Sequence, residues 1–342
     1  MILPIFFSKY KQKIIADFNK KWAGEELYFC PSIYSEINFT YSMVRSCCMC
    51  TMEPYTPPIF YVAKKHNYKK LNFKEYIKQI DRIMVLNQSS KAVCDGCDFF
   101  KKQVVPPIEY NGNIKRFSMN HFTKCNADCV YCSCVVKEYD VAFEILPIIK
   151  RFEDYGLINE DCIFNWAGGE PTICRDFDEC CSYLFRNKRK QLINSSGIEY
   201  NELVEKCLQK DLAKLIISPD SGTRETYLKI KRVDKFDEVW DNIKKYAKYS
   251  DNFSVKYVLF SMNSNEKDIT KFIEKCIEAE VKNIAITVEN NTSHGDGSHF
   301  GKITDNEINM AILLKKLAEK NSIKCSVWHM WKEENQKKIE MA

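Results

Sequence analysis

The sequence predicts a mixed α/β protein, in which parallel strands joined by crossover helices follow a smaller, irregular, cysteine-rich region. Three observations carry this expectation. From about residue 114 onward, short apolar runs alternate with longer segments of helical period. Before about residue 110 that rhythm is absent, and the Pro-rich turn Pro54 to Pro58 interrupts the chain. Cys30, Cys47, Cys48, Cys50, Cys94 and Cys97 crowd into the first hundred residues of a 342-residue chain that has 17 cysteines.

Taken in order, Phe73 to Leu86 is the one clear helix of the first region, with Phe73, Ile77, Ile80 and Met84 on one face. Val105 to Asn113 reads as a linker closing on an Asn-Gly turn. Ile114 to Met119 opens the repeating series as a strand and leads into a cysteine loop. Phe143 to Tyr155 is a helix ended by Gly156. Strands follow at Cys162 to Trp166, Gln191 to Ile193, Leu215 to Ser218, Val255 to Phe260, Asn283 to Val288 and Ile323 to Val327. Between them lie helices at Asp176 to Phe185, Glu199 to Lys210, Val233 to Tyr249, Glu266 to Ala279 and Asp305 to Lys320. This alternation is that of a parallel sheet with crossover helices, enough units to close partway into a barrel. The expected organisation is a cysteine-rich domain and linker at 1–110, a partial (β/α)6 TIM-type barrel at 111–330 and a tail at 331–342. In such folds chemistry sits on the loops after the strands.

Hydrophobic content of 45% and charged content of 28% are those of a globular protein. The net charge of +5 is spread along the chain without a Lys/Arg block, so a lysine-rich surface is expected rather than nucleic-acid binding. The apolar stretch Ile2 to Phe7 contains Pro4, is too short to span a bilayer and lacks the order of a signal peptide. A cytoplasmic protein is expected. In a reducing compartment, clustered cysteines serve as metal ligands or catalytic groups rather than disulfides. The single cysteines, Cys162, Cys174, Cys180, Cys181, Cys207, Cys276 and Cys325, are expected to be small buried apolar side chains.

Cys125, Cys129 and Cys132 form C-x3-C-x2-C directly after the first strand of the series. Three thiolates so placed fit three corners of one metal centre. A structural zinc site generally takes four protein ligands, and Cys134 is a candidate to complete one. Without it, three thiolates suit an iron–sulfur cluster with one iron left open. The second strand ends in Trp166-Ala-Gly168-Gly169-Glu170-Pro171. Its glycines let backbone approach a ligand closely, and Glu170 offers a carboxylate to an ammonium group.

This pair of motifs, with Tyr131 before the third cysteine, resembles the radical S-adenosylmethionine (radical SAM) superfamily over roughly residues 110–330. The resemblance implies that Cys125, Cys129 and Cys132 hold a 4Fe–4S cluster whose open iron chelates S-adenosylmethionine. Gly168, Gly169 and Glu170 would receive the methionine ammonium. Asn194 to Gly197 loosely matches another strand-end segment of the family. Ser218-Pro219-Asp220 is similar to its Ser-x-Asp segment, which makes Ser218 the expected polar contact to the cofactor. Lys256, Asn263 and Asn265 are weaker candidates. The implied chemistry is reductive cleavage of S-adenosylmethionine to a 5′-deoxyadenosyl radical, which abstracts a substrate hydrogen atom. A low-potential electron donor such as flavodoxin or ferredoxin is implied as partner.

The N-terminal cysteines resemble a SPASM/Twitch-like auxiliary iron–sulfur domain, here placed before the barrel. The resemblance implies Cys30, Cys47, Cys94 and Cys97 as ligands of a second 4Fe–4S cluster, with Cys48 the alternate for Cys47 and Cys50 a spare. A four-cysteine zinc site fits the C-x2-C spacing equally well. The expected activity is that of an oxidoreductase (dehydrogenation) or epimerase acting on a small-molecule or sugar-like substrate. A peptide-modifying maturase is the alternative, and a zinc-stabilised binding protein without redox chemistry is the alternative of another class. His121, His294 and His299 flank loops at the expected catalytic mouth, where contact with substrate and plain solvation are both open readings.

Overall fold

The computed structural model describes residues 3–40, 43–47, 60–61, 71–90, 92–95, 97, 99–132, 141, 143–288, 304–328 and 333–342. Two compact units emerge, one of residues 1–122, 139–166 and 186–190, the other of residues 123–138, 167–185 and 191–342.

The first unit contains α1 (Leu3–Trp22), β1 (Glu26–Phe29), the one-turn α2 (Ser32–Ser35), β2 (Glu36–Phe39), β3 (Met43–Ser46) and β4 (Phe60–Tyr61). It continues with α3 (Phe73–Asn87), β5 (Lys101–Val104), β6 (Ile114–Met119), α4 (Leu146–Asp154) and β7 (Ile158–Trp166). Sequence reading missed α1, a lysine-rich helix on which Lys11, Ile15, Phe18 and Trp22 are buried among the described side chains. Tertiary contacts hold it: Lys21 and the Trp22 indole share Asp81 of α3, each at 2.7 Å. The Asn19 amide exchanges two hydrogen bonds with the Ile108 backbone. Asn72 caps α3, accepting from Glu75 N at 3.0 Å. The helix expected from Phe143 starts instead at Leu146, because Pro147 is tolerated only in a first turn.

Strands β2, β6 and β7 run parallel, while β3 pairs antiparallel with β2 and β4 with β3. The chain before residue 110 therefore contributes strands beside the first strand of the repeating series. Aromatic rings fill the space behind them: Phe117 stacks on Phe164 at 5.0 Å between centroids and meets Phe152 edge-on at 5.7 Å. The short β1 and β5 form a separate antiparallel ribbon, with Phe29 opposite Lys101.

The second unit carries α5 (Phe177–Arg186), β8 (Lys190–Ser195), α6 (Glu202–Gln209), β9 (Ala213–Ile217), α7 (Arg224–Lys231) and α8 (Phe236–Ala247). Then follow β10 (Phe253–Leu259), α9 (Glu266–Glu278), β11 (Asn283–Val288), α10 (Asp305–Lys320), β12 (Lys324–Val327) and α11 (Glu333–Glu340). Strands β8 to β12 are consecutive parallel neighbours. This is the expected mixed α/β class, that of the partial (β/α)6 barrel. Sequence reading placed one helix from Val233. That helix, expected to end at Tyr249, is α8; the structure adds α7 before it, ended where Arg232 adopts a left-handed conformation (φ 56°). Among the described residues no helix is long and apolar enough to cross a membrane.

Asp268, in the first turn of α9, organises this unit from a fully buried position. Its carboxylate accepts from the Tyr257 hydroxyl at 2.8 Å, Thr223 Oγ1 at 2.9 Å, Gly222 N at 3.1 Å and Ser221 Oγ at 3.3 Å. A side chain at Gly222 would overlap the α9 backbone, so the loop after β9 lies flush against that helix. Replacing Asp268 by Ala leaves the buried Gly222 N without its acceptor and removes one hydrogen bond each from Tyr257, Thr223 and Ser221, which keep other partners. We expect Asp268→Ala to lose about 3 kcal/mol of stability, measured by chemical denaturation.

Candidate cofactor site

The three motif cysteines lie in one loop, all half-buried and none disulfide-bonded. Backbone hydrogen bonds shape it: Cys132 N donates to Cys129 O at 3.1 Å, and Ala127 N lies 3.5 Å from the Cys125 sulfur. Burial pushes the Cys125 thiol up to about 11, with Glu170, Cys129 and Cys132 adding repulsion. Three thiolates facing a carboxylate need a cationic centre among them to ionise together.

The Gly-Gly-Glu turn lies against this loop. Gly168 takes φ 134°, and a Cβ at Gly169 would overlap the Lys124 carbonyl. That contact allows Glu170 N to donate to Lys124 O at 2.8 Å. The buried Glu170 carboxylate reaches across to the end of β8. Oε1 accepts from Thr172 N at 3.1 Å, Thr172 Oγ1 at 2.7 Å and Ser195 Oγ at 2.9 Å. Oε2 accepts from Ser196 N at 2.6 Å and keeps a free acceptor position for an ammonium group. Ser196 Oγ continues the chain to Asn126 Oδ1 at 2.9 Å, inside the cysteine loop. Asn126 Nδ2 is buried and has no hydrogen-bond partner among the described residues. A backbone cradle that a Cβ would fill, an orphaned buried donor and three clustered thiols fit an iron–sulfur cluster with a bound amino acid group.

Ser218 directly follows β9, half-buried, and its hydroxyl has no hydrogen-bond partner among the described residues. Asp220 is different: it is fully buried at φ 55°, and its carboxylate is taken by Tyr131, Lys231 and Val258 N. Sequence reading missed Lys231 because it lay between expected elements; its i,i+4 spacing from the buried Tyr227 was the available signal. Asn263 is consumed structurally. Its amide donates to Asp220 O and Val258 O and accepts from Phe260 N. Asn265 caps α9, accepting from Asp268 N at 3.0 Å. Lys256 stands on β10 with its ammonium 5.5 Å from the Trp328 ring centroid.

In the first unit, Cys30 and Cys97 lie near each other beside the β1–β5 ribbon. Cys30 directly follows β1, whose last residue Phe29 pairs with Lys101, just after Cys97. The Cys30 thiol is pushed up by burial, and Cys97 and Glu36 add to that. Cys47 N donates to Glu36 O at 3.2 Å, so Cys47 sits at the far end of α2 from Cys30. Cys94 is gripped by Asn87, which accepts from its N–H at 3.2 Å and donates to its sulfur at 3.3 Å. Cys48, Cys50, Cys134, His294 and His299 lie outside the described residues. His121 is buried among Phe39, Phe122 and Phe143. Cys162, Cys174, Cys180, Cys181, Cys207 and Cys276 are buried as expected, and Cys325 is half-buried.

Three clustered thiols beside a glycine cradle and a carboxylate, on loops that follow parallel strands, define a cofactor-dependent α/β protein of the iron–sulfur type. Residues 119–294 match the radical SAM superfamily, and the chain belongs to that superfamily. It is 27% identical over 159 residues to the molybdenum cofactor biosynthesis protein moc-5 of Caenorhabditis elegans, covering 44% of this chain and 26% of that protein. It is 28% identical over 164 residues to a probable GTP 3′,8-cyclase of Saccharolobus islandicus, covering 46% of this chain and 51% of that one. The chain thus spans about half or less of the length of these curated relatives. Among solved structures, Streptococcus suis SuiB bound to S-adenosylmethionine superposes with a TM-score of 0.48 and 13% identity, over 76% of this chain and 54% of that one. The cofactors of this superfamily are a 4Fe–4S cluster and S-adenosylmethionine.

The Gly169 contact yields a direct test. Gly169→Ala should push the turn off Lys124 O and lower S-adenosylmethionine affinity about tenfold or more, roughly 1.4 kcal/mol. Iron content should stay unchanged. Equilibrium binding to the anaerobically loaded protein, with iron analysis alongside, measures both.

Proposed function

We propose that this protein cleaves S-adenosylmethionine reductively and abstracts a hydrogen atom from a small-molecule substrate, leading to oxidation or epimerisation. The observation that carries this reading is the hydrogen-bond chain from Asn126 through Ser196 to Glu170, which ties the cysteine loop to the Gly-Gly-Glu turn. Cys125, Cys129 and Cys132 would hold the cluster, and Gly168, Gly169 and Glu170 the methionine ammonium, with Ser218 as a further polar contact. When bound, the cluster and S-adenosylmethionine supply a hydrogen-abstracting carbon radical by one-electron cleavage of the sulfonium C–S bond. The protein's own part is to fix that geometry, exclude water and keep stray hydrogen donors away. Enzymes of this family take their electrons from an external reductant, and a flavodoxin or ferredoxin is the donor proposed here.

Cys30, Cys47, Cys94 and Cys97 would hold an auxiliary 4Fe–4S cluster, and residues 1–110 would form its domain. A full four-thiolate centre suits acceptance of the second electron in a dehydrogenation. A second reading, cyclisation of a purine nucleoside triphosphate, is favoured by the names of the curated relatives.

Anaerobic preparation should give iron and sulfide matching two 4Fe–4S centres. A Cys125→Ala, Cys129→Ala, Cys132→Ala variant should keep about half of each, while stoichiometric zinc without sulfide would exclude redox chemistry. Reduction with S-adenosylmethionine should release 5′-deoxyadenosine. Substrate trials in deuterated buffer then separate the outcomes: deuterium gain without net oxidation marks epimerisation, a two-electron product marks dehydrogenation, and GTP consumption marks the second reading.

A further inference from the structure

The cysteine loop is anchored from behind by groups that the proposed function does not use. Tyr131, between Cys129 and Cys132, donates its hydroxyl to Asp220 Oδ2. The Lys231 ammonium donates to the same oxygen and to the Tyr131 hydroxyl at 2.8 Å. Both charges are interior, with the Lys231 side chain 4% exposed and that of Asp220 not at all. Asp220 is itself locked, its other oxygen accepting from Val258 N at 2.7 Å and its carbonyl from Asn263 Nδ2 at 2.9 Å.

The backbone repeats the connection. Asp128 N donates to Lys231 O at 2.9 Å and Val130 N to Ile230 O at 3.0 Å. The last carbonyls of α7, which lack partners within their own helix, are thus satisfied by the loop that carries the cysteines. Burial alone would lower the Lys231 pKa, but Asp220 first, then Cys129 and Tyr131, hold it well above its usual value. Paired with the Asp220 carboxylate, the buried ammonium stays charged, and its hydrogen bond to Tyr131 places it against the segment between Cys129 and Cys132. Lys256 also faces Asp220, Lys231 and Cys129, but burial lowers its pKa.

Stability does not account for this arrangement. A buried ion pair is worth little more than well-packed apolar side chains of the same volume. Against the loop that carries the cysteines, however, a desolvated cation has a specific effect. It favours the more negative, reduced form of a cluster, whose potential depends on net charge and on hydrogen bonds around its sulfurs.

We propose that Lys231 is a positioning residue for the cysteine loop: bridging Asp220 and Tyr131, it fixes the segment between Cys129 and Cys132 and raises the reduction potential of the cluster held there. The inference rests on the proposed reading of Cys125, Cys129 and Cys132 as cluster ligands. That reading is tested separately, on the unaltered protein: if it holds no iron–sulfur centre on these cysteines, both fail before any variant is made.

The test compares Lys231→Gln, Lys231→Arg and Tyr131→Phe, each in the full chain with Cys30, Cys47, Cys94 and Cys97 replaced by Ser so that one cluster is observed. The readouts are iron content, the midpoint potential from a titration followed by electron paramagnetic resonance, and the rate of iron release to a chelator. Lys231→Gln should load iron but need a more negative potential, the reduced-to-oxidised ratio at fixed potential falling about tenfold, or 59 mV for one electron. Lys231→Arg should return to the parent value. Tyr131→Phe keeps both charges and the ring, and should release iron several-fold faster. A loaded Lys231→Gln protein that titrates with the parent overturns the inference. If Lys231→Gln does not fold, Tyr131→Phe decides: iron release at the parent rate overturns the inference, and faster release supports it.

Discussion

Like charges cannot share a buried site without something positive between them, and the candidate site is built around that constraint. Three thiols and the Glu170 carboxylate face one another across a loop and a turn, with the Cys125 thiol already held at about 11. The surrounding backbone keeps them there despite the repulsion. The Lys124 carbonyl fixes the turn, Ser195 and Ser196 fix the carboxylate, and the ends of α7 and β9 fix the loop. A cationic centre among these groups would favour their ionised forms and turn mutual repulsion into binding.

The same economy of geometry appears at two other points. Gly222 brings the loop after β9 flush against α9, so that Asp268 can gather four donors from separate segments. Gly169 does the equivalent for the Gly-Gly-Glu turn. In both places a missing side chain lets backbone meet backbone, and a buried carboxylate then closes the junction. Such junctions make the strand-end loops a rigid platform, which suits chemistry that must hold a reactive radical away from solvent.

Membership of the radical SAM superfamily rests on the match over residues 119–294, and it accounts for the C-terminal part of the chain. The N-terminal cysteines call for their own explanation. The β1–β5 ribbon brings Cys30 near Cys97 in the first unit. Asn87 holds Cys94 by both its backbone and its sulfur.

Several features were determined by the sequence alone, because each is local. The C-x3-C-x2-C spacing and Gly168–Gly169–Glu170 specify their own loop shapes, and α3, α9 and α10 follow from apolar period and capping residues. Asp305–Lys320 and Asn283–Val288 were legible to the residue. Other features were decided only by the tertiary structure. The described part of α1 is held by contacts of Lys21 and Trp22 with Asp81 of α3 and of Asn19 with Ile108. α7, absent from the sequence reading, ends on a left-handed Arg232 that the sequence does not advertise. Asn263 offers a ligand-binding amide in sequence and spends it on three backbone groups in the fold. The Tyr131–Asp220–Lys231 contact joins residues up to a hundred positions apart, and only strand order and helix packing bring them together. Local spacing chose which atoms can bind a cofactor, and long-range packing chose the charges that surround it.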